Sequence, residues 1–279
     1  MPELPEVETM RRGVLGVIGA RITAAERVVC SCKPIRIAPT IATLRRRVTG
    51  RHIRDVGRVG KRLVLHLDTD DSLVFEPRMT GLVLIADPPS YKHLRFRLKL
   101  HGGSASELIY WDRRGLGSVT LYSRAAYDRM LGPDHVGPDA LQITKDLLKQ
   151  RLSASQRAVK VALLDQRCVA GIGNLYASEI LHVARVHPAW PCDKLFDSRW
   201  TAIAHAIVAV FEEAIRCEGS TLGDGTYRTA LNQPGSYQNK HRVYDRQGQS
   251  CPRCIHRNVV RMVQAQRSTF FCPGCQRPP

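Results

Sequence analysis

The chain has 279 residues, of which 43% are hydrophobic and 24% are charged, which suits one large folded domain or two to three smaller ones. Its 42 lysines and arginines outnumber 25 aspartates and glutamates, giving a net charge of +17. This excess favours a polyanionic partner, usually nucleic acid, over a merely solvated basic surface. No run of 18 apolar residues and no secretory leader occur, so we expect a cytoplasmic protein that does not enter a membrane. Nine cysteines in that reducing compartment favour metal binding over disulfides.

The first predicted element is a helix from Leu4 towards Ile18, because apolar residues recur there at helical spacing. Pro5 suits its first turn, and Glu6 and Glu8 suit its positive end. Between about residues 20 and 125 the pattern becomes strand-like, with short alternating segments separated by turn residues. Such a series is typical of a β-sandwich or barrel. The segments are RLVLHLD, SLVFE, GLVLIA, LRFRLKL, ELIYW and GSVTLY.

A linker is predicted at LGPDHVGPDA (131–140), which is rich in turn residues. Four helical segments follow it, namely ITKDLLKQRL, VKVALLD, LYASEILHVARV and RWTAIAHAIVAVFEEAIRCE. The polar stretch 219–241 is rich in Gly, Ser, Thr and Asn, and we expect it to be a long mobile loop. Loops of this length without structure of their own tend to be functional or disordered.

The end of the chain carries two C-x2-C pairs separated by seventeen residues. This spacing brings two tight thiolate turns together across a hairpin, where four thiolates surround one Zn²⁺ tetrahedrally. Because four cysteines leave no position for water, we expect a single structural zinc rather than a catalytic one; the alternative is four buried or redox cysteines. The other five cysteines have no metal-binding spacing and are interpreted as structural. The predicted ligands are Cys251, Cys254, Cys272 and Cys275.

A glycine turn lies in VAGIGNLYASEI (169–180), between two predicted helices. Gly171 and Gly173 allow a tight turn, and Asn174 can cap the helix that follows. Backbone amides at a helix start form an anion site suited to a DNA phosphate. A glycine turn is also common scaffolding between two helices, and the residues alone leave both interpretations open.

The opening MPELPEVETM places a proline directly after the initiator methionine. If Met1 is removed, Pro2 becomes a secondary amine beside the positive end of a helix, which disfavours its protonation. A neutral amine attacks aldehyde carbons and forms an iminium, while Glu3 and Glu6 can move protons or hold the amine. The alternative is that these residues merely begin a helix.

Three motifs together carry a resemblance: MPELPEVET at the start, VAGIGNLYASE in the helical region, and CPRC…QRSTFFCPGC at the end. They resemble the formamidopyrimidine-DNA glycosylase and endonuclease VIII family from residue 1 to about 277. The resemblance implies an α+β multidomain protein with an N-terminal β-sandwich and leading helix over 1–130. A helical helix-two-turn-helix domain with a lesion-recognition loop would cover 131–242, and a zinc finger 243–277.

The family's chemistry implies a bifunctional DNA glycosylase and abasic-site lyase that flips a damaged base from the duplex. Pro2 would then be the nucleophile, Glu3 the acid/base during sugar ring opening, and Glu6 a support of this site. Lys61, in RVGKRLVL, matches the family's hairpin lysine that assists β-elimination. Arg267, in QRSTFFC, matches the zinc-finger arginine that grips the phosphates and assists δ-elimination.

Further DNA-binding residues follow from the same resemblance. The family fills the space left by the flipped base with three side chains, matched here by Met79, Arg114 and Leu116. Leu116 replaces the usual phenylalanine, and the residue before it is a glycine where an arginine is common. We expect these two differences from the family to affect how the space left by the flipped base is filled and which base is preferred opposite the lesion. The remaining predicted DNA contacts are His93, Lys160 and Asn174.

The long loop that begins STLGDGTYRTALNQPG resembles the formamidopyrimidine branch, whose substrates are oxidised purines such as 8-oxoguanine and formamidopyrimidines. The alternatives are an endonuclease VIII-like enzyme for oxidised pyrimidines, a non-catalytic zinc-ribbon DNA-binding protein, and an RNA-processing or transcription zinc ribbon. The expected partner is damaged double-stranded DNA, bound by a monomer in the bacterial cytosol or nucleoid, with one structural Zn²⁺ as the only cofactor.

Overall fold

The structure is a computed structural model, and it describes residues 2–278. Met1, whose removal the sequence predicts, lies outside the described residues. The first helix, α1 (Leu4–Gly13), begins with a capping box in which the Glu3 and Glu6 side chains each accept from the other's backbone amide. Pro5 lies in its first turn, and Arg11 and Arg12 lie in its last turn.

Nine strands of the N-terminal region form two sheets. In chain order they are β1 (Arg21–Arg27), β2 (Arg36–Ala38), β3 (Ile53–Val59), β4 (Arg62–Leu67), β5 (Ser72–Glu76), β6 (Gly81–Leu84), β7 (Leu94–His101), β8 (Glu107–Asp112) and β9 (Ser118–Tyr122). One sheet has the order β1-β7-β8-β6 and the other β2-β9-β5-β4-β3. All neighbouring strands are antiparallel except β2 and β9.

The two sheets share one apolar core, to which α1 also contributes. Val7 and Met10 of α1 are fully buried among Leu65 and Phe75 of one sheet and Phe96 of the other. The alternation of apolar residues along the strands aims these side chains inwards. The predicted β-sandwich with a leading helix is thereby confirmed. Two short helices that the sequence did not predict, α2 (Ile41–Val48) and α3 (Arg124–Leu131), begin at the capping side chains of Thr40 and Ser123.

The predicted helices of the second half form α4 (Lys145–Leu152), α5 (Val159–Leu163), α6 (Asn174–Val183) and α7 (Asp197–Arg216). The longest, α7, buries one apolar stripe that includes Trp200 and Phe211. The segment between the two cysteine pairs forms the predicted hairpin of β10 (Val260–Gln264) and β11 (Arg267–Phe271). The α+β composition inferred from the sequence is therefore confirmed.

The described residues form two compact units. The first runs to Gly132 and includes the returning segment Cys217–Ser236, and the second contains Pro133–Arg216 and everything from Tyr237 onwards. The segment Cys217–Ser236 is closed at its base by a Ser236 N to Cys217 O bond of 2.8 Å. The three-part division at 1–130, 131–242 and 243–277 stays a prediction. Among residues 2–278, no helix combines the length and the apolar character that crossing a bilayer requires.

Candidate functional site

The start of α1 is buried and tightly held. Pro2 is buried, and Glu3 and Glu6 are 3% and 2% exposed. Glu6 Oε2 accepts from the Glu3 amide at 2.9 Å, and Glu6 Oε1 accepts from the Ser220 amide at 2.9 Å. Glu6 therefore fixes the backbone that follows Pro2 and joins it to the segment Cys217–Ser236. A catalytic supporting role for Glu6 stays a prediction.

The segment Cys217–Ser236 packs against α1 through a buried tyrosine. Tyr227 donates from its hydroxyl to the carbonyl of Glu218 at 3.0 Å and to that of Glu6 at 3.4 Å. Gly219 has φ +80°, and a Cβ there would lie 3.0 Å from Glu6 Oε1, so only glycine suits this approach. These contacts and the Ile85 N to Ala230 O bond of 3.0 Å anchor the segment to the first unit, and the mobility expected for this loop stays a prediction.

Glu8 forms an ion cluster that the sequence did not predict. Its carboxylate accepts from Arg11 and Arg12 at 2.8 Å and from Arg58 Nε at 3.0 Å. Burial opposes ionisation of Glu8, but the hydrogen bonds of the three arginines outweigh it and lower its pKa to about 2. Arg58 Nη1 also donates to Gly60 O at 3.0 Å, so the cluster ties α1 to the turn between β3 and β4.

Lys61 lies in that turn, beside Gly60. Val59 pairs with Arg62, so Gly60 and Lys61 form a two-residue hairpin turn, and the φ of +55° at Gly60 suits the first position of a type II′ turn. Lys61 is partly exposed and lies one residue from the carbonyl that Arg58 holds. The orientation of this lysine-bearing turn thus depends on the Glu8 cluster.

The three predicted void-filling residues lie on two adjacent loops of the first unit. Met79 is on the β5–β6 loop and is 37% exposed; Leu116 is on the β8–β9 loop and is 40% exposed, with Arg114 also exposed. Arg114 N donates to Thr80 Oγ1 at 3.0 Å, which joins the two loops directly. Apolar side chains exposed at neighbouring loop tips are suited to enter a base stack.

Asp112 organises both of these loops, although it is fully buried. Its Oδ1 accepts from Thr80 Oγ1 at 2.5 Å and from Arg114 N at 3.1 Å, and its Oδ2 accepts from Gly117 N at 2.8 Å. Asp112 directly follows the segment ELIYW, which was predicted as a strand, but no role was predicted for Asp112 itself. The signal available in the sequence is a carboxylate at the end of an apolar strand and before a glycine-rich loop.

His93 lies directly before β7 with its ring edge-on to Trp111, 5.5 Å between centroids. Burial and the nearby charges of Arg95 and Lys92 lower the pKa of His93, which favours the neutral ring. Its Nδ1 lies 3.6 Å from Cys32 Sγ. A DNA contact by His93 stays a prediction.

In the second unit, the buried Lys160 forms a polar pair with the half-buried Asn174. Lys160 is fully buried and donates to Asn174 Oδ1 at 2.5 Å, while Asn174 Nδ2 donates to Ser268 O at 2.9 Å. The expectation that Asn174 caps α6 is wrong, because Gly173 is the capping residue and the amide instead binds the hairpin. Gln166 holds the glycine turn by accepting from Gly171 N at 3.0 Å.

Arg267 is exposed and directly follows the turn that joins β10 to β11. Ala265 and Gln266 form this turn with φ of +45° and +60°, as a type I′ hairpin turn requires. The neighbouring Ser268 is fixed from both sides, since its carbonyl accepts from Asn174 and its hydroxyl from Arg261 Nε at 2.9 Å. The polar pair on α5 and α6 therefore orients the tip of the hairpin that carries Arg267.

The four predicted metal ligands converge. All four sulfur atoms lie within 4.8 Å of one another, with Sγ–Sγ distances of 3.8 Å for Cys251–Cys275 and 3.5 Å for Cys254–Cys272. Thiolates at about 2.3 Å from a tetrahedral zinc would be separated by about 3.8 Å. The cysteines can therefore hold one metal ion of that size without rearrangement. Among residues 2–278 they are the one such group of three or more potential ligands.

Two family models match this chain. The formamidopyrimidine-DNA glycosylase N-terminal domain matches residues 1–119, and the formamidopyrimidine-DNA glycosylase H2TH domain matches residues 131–225. A formamidopyrimidine-DNA glycosylase of Chloroflexus aurantiacus is 39% identical over 99% of this chain and 98% of its own length. The chain belongs to the formamidopyrimidine-DNA glycosylase family.

Solved structures of formamidopyrimidine-DNA glycosylases (Fpg) match along the whole chain. MutM (Fpg) of Thermus thermophilus is 36% identical, with a TM-score of 0.85 and complete coverage of both chains. A complex of a Lactococcus lactis Fpg mutant with DNA containing Fapy-dG is 31% identical, with a TM-score of 0.87 over 99% of this chain and 100% of that one. The L. lactis Fpg with abasic-site DNA matches with a TM-score of 0.86. The resemblance inferred from the three motifs is confirmed.

Proposed function

We propose that this chain is a base-excision-repair enzyme that removes oxidised purines from duplex DNA and then cleaves the strand at the resulting abasic site. Family membership over the whole chain supports the proposal, as do the complexes of L. lactis Fpg with Fapy-dG DNA and with abasic-site DNA. The observation that carries it is the buried start of α1, where Glu6 fixes Glu3 next to Pro2.

The proposed reaction begins with the Pro2 amine, freed by removal of Met1. An α-amino group has a pKa of about 7.7–8, and the adjacent positive end of α1 favours the neutral, nucleophilic form of the Pro2 amine. The amine attacks the sugar C1′ and the base leaves, while Glu3 supplies a proton to the ring oxygen as the sugar opens. The product is an iminium between Pro2 and C1′, which acts as an electron sink.

Elimination from this iminium then breaks the strand. Lys61, at the turn held by the Glu8 cluster, is the proposed phosphate ligand that assists β-elimination. Arg267, at the tip of the hairpin, is the proposed phosphate ligand for δ-elimination. Each step depends on charge placed beside a leaving phosphate. Met79, Arg114 and Leu116 would fill the space that the flipped base leaves, and His93, Lys160 and Asn174 complete the proposed DNA-binding set.

The four cysteines are proposed to hold one structural Zn²⁺. Their sulfur spacing suits tetrahedral coordination, and a fourth thiolate leaves no site for a reacting water. The ion would maintain the hairpin that presents Arg267 and would take no part in the chemistry. We propose that the enzyme binds DNA as a monomer. Because the matching relatives are bacterial, we also propose that it acts in the bacterial cytosol.

Oxidised pyrimidines are the second candidate substrate class. A complex between wild-type L. lactis Fpg and DNA containing an oxidised pyrimidine is 31% identical to this chain, with a TM-score of 0.86. Duplexes that each carry one lesion, 8-oxoguanine, a formamidopyrimidine or an oxidised pyrimidine, separate the classes by their single-turnover excision rates. Faster excision of the purine lesions is expected, and a preference for pyrimidine lesions would reverse the assignment.

The decisive experiment is borohydride trapping on an abasic-site duplex. The expected product is a covalent protein–DNA adduct whose mass corresponds to a protein without Met1. Pro2→Gly should lose the adduct, whereas Pro5→Ala, a matched proline change in the first turn of α1, should retain it. A wild-type protein that binds the duplex but forms no adduct would instead be the non-catalytic DNA-binding protein considered from the sequence.

A further inference from the structure

A second chemically distinctive place lies in the first unit, in the connection between β1 and β2. A cavity of about 380 Å³ opens there, lined by Arg27, Val29, Cys30, Cys32, Pro34 and Arg95 among others. Two cysteines and two arginines thus border one space large enough for a small molecule. The proposed glycosylase chemistry uses none of these four side chains.

Arg95 is one of the residues that line this cavity, and it is 2% exposed. Its Nε donates to the carbonyl of Asp112 at 2.8 Å, and its Nη1 donates to Cys30 Sγ. Its Nη2 is buried and has no hydrogen-bond partner within residues 2–278. A buried donor without a partner is unfavourable, so a ligand oxygen in the cavity could accept a hydrogen bond from it.

The two cysteines lie close together, and each sulfur has a polar neighbour. Cys30 and Cys32 are both half-buried, and the chain bends at Ser31 and Cys32, which brings the two residues together. Cys30 Sγ lies 3.8 Å from Cys32 O, and Cys32 Sγ lies 3.6 Å from His93 Nδ1. One sulfur therefore faces a guanidinium and the other faces an imidazole that can accept a proton.

We propose that Cys30 and Cys32 are a peroxide-reactive thiol pair, with Arg95 as the group that activates Cys30 and binds its oxidised form. The thiolate is the reactive form of a cysteine, and a guanidinium donor stabilises negative charge on the sulfur. The pair differs from the other cysteines outside the metal cluster in having both a buried cation and a second thiol nearby. This revises the interpretation of Cys30 and Cys32 as structural.

The reaction balances with a hydroperoxide as the oxidant. The Cys30 thiolate attacks one peroxide oxygen, an S–O bond forms, the O–O bond breaks, and the leaving oxygen takes a proton and departs as water or an alcohol. The sulfur loses two electrons to the peroxide, and the new sulfenate oxygen accepts from Arg95 Nη2. Cys32 gives its thiol proton to His93 and attacks the Cys30 sulfur, so that an S–S bond forms and the S–O bond breaks. The leaving oxygen takes one proton from His93 and one from solvent and departs as water.

The pair is connected to the void-filling loop by two contacts. Arg95 holds the carbonyl of Asp112, whose side chain orders that loop. Gly115 lies so close to the segment after Cys32 that a Cβ would be 2.3 Å from Lys33 O. Forming the disulfide draws Cys32 away from His93 and pulls on Lys33. We therefore expect oxidation to displace the loop that carries Arg114 and Leu116.

The chemical test uses the metal-loaded full chain treated with hydrogen peroxide and mapped by mass spectrometry. The expected product is a peptide 2 Da lighter with Cys30 joined to Cys32. In Cys32→Ser, dimedone should label Cys30 at least about tenfold faster than Cys168 or Cys217. Equal labelling of the three cysteines, or oxidation that stops at Cys32 alone, overturns the proposal. Arg95→Lys should slow labelling of Cys30 severalfold; if this variant does not fold, the Cys32→Ser comparison decides by itself.

The functional test is separate and depends on the proposed glycosylase activity. Peroxide-treated protein should excise its lesion severalfold more slowly than reduced protein, and dithiothreitol should restore the rate. The double variant Cys30→Ser/Cys32→Ser should be insensitive to peroxide, while Cys168→Ser should respond as the wild type does. A disulfide that forms but leaves excision unchanged would refute the coupling to the loop while leaving the thiol chemistry intact. A chain inactive on every lesion would count against the proposed function and not against the thiol pair.

Discussion

Replacing Glu8 by glutamine tests whether the ion cluster on α1 holds both the fold and the Lys61 turn. The variant keeps the size of the side chain but removes the charge that Arg11, Arg12 and Arg58 share. Arg58 is only 9% exposed and would be left close to two other guanidinium groups without a counter-charge. The amide nitrogen of glutamine would also face an arginine donor, which adds repulsion.

The magnitude follows from the pKa of Glu8. Its fall from 4.5 to about 2 corresponds to a stabilisation of about 3 kcal/mol when the carboxyl is ionised. Because the folded-state pKa is the lower one, this stabilisation is fully present above about pH 4.5 and is lost as the pH falls towards 2. Glu8→Gln should therefore be about 3 kcal/mol less stable at pH 7, and the difference should shrink below pH 4.5.

Urea unfolding from pH 7 to pH 3 measures both quantities. Glu26→Gln is the matched control, because Glu26 forms an exposed ion pair with Lys99 at 3.3 Å and should cost less than about 1 kcal/mol. Glu8→Gln should also slow strand cleavage at a preformed abasic site, since Lys61 loses the support of its turn. The reasoning would be refuted if the loss of unfolding free energy in Glu8→Gln stayed constant across this pH range, or if it were no larger than the loss in Glu26→Gln.

Three further outcomes are expected. Asp112→Asn should lower stability by about 1–3 kcal/mol in thermal unfolding, because the new side-chain NH2 group would face the Gly117 N–H, which now donates to the carboxylate. The same variant should bind abasic-site DNA more weakly. Elemental analysis should find no bound metal in Cys254→Ser, and this variant should also lose most of its DNA affinity, whereas Cys168→Ser should keep both. Full metal content in Cys254→Ser would contradict the four-thiolate site. The logarithm of the binding constant for abasic-site DNA should fall steeply and linearly with the logarithm of the salt concentration. A binding constant that does not change with salt would exclude binding dominated by phosphate contacts.

The segments with strong periodicity were predictable from the sequence. Six strands of the sandwich and all four helices of the second unit follow the alternation and spacing of their apolar residues. The short helices α2 and α3 were missed because eight residues with one or two buried side chains carry too weak a pattern. Their capping residues, Thr40 and Ser123, were the available signals.

The candidate site was predictable where chemistry depends on residue type and spacing. The four cysteines and the opening Pro-Glu pair belong to this class, since their spacing is short or their position in the chain is unusual. The structural roles of Asp112, Arg58 and Gln166 were not predictable, because each depends on a hydrogen bond to a backbone atom that only the fold brings near. The sequence predicts Lys160 only as a DNA contact, and its burial against Asn174 arises from the packing of α5 on α6.

The fold also explains why residue 115 is a glycine where the family commonly has an arginine. Gly115 has φ +63°, and any Cβ would be 2.3 Å from the backbone oxygen of Lys33, so the arginine common in the family does not fit here. Gly115→Arg should cost at least about 1–2 kcal/mol from the left-handed backbone alone, and more from the contact with Lys33. Leu116→Phe, which restores the family's wedge at a 40% exposed position, should change stability by less than about 0.5 kcal/mol. Thermal unfolding of the two variants separates these costs, and a Gly115→Arg protein as stable as Leu116→Phe would mean that the segment after Cys32 does not constrain the loop.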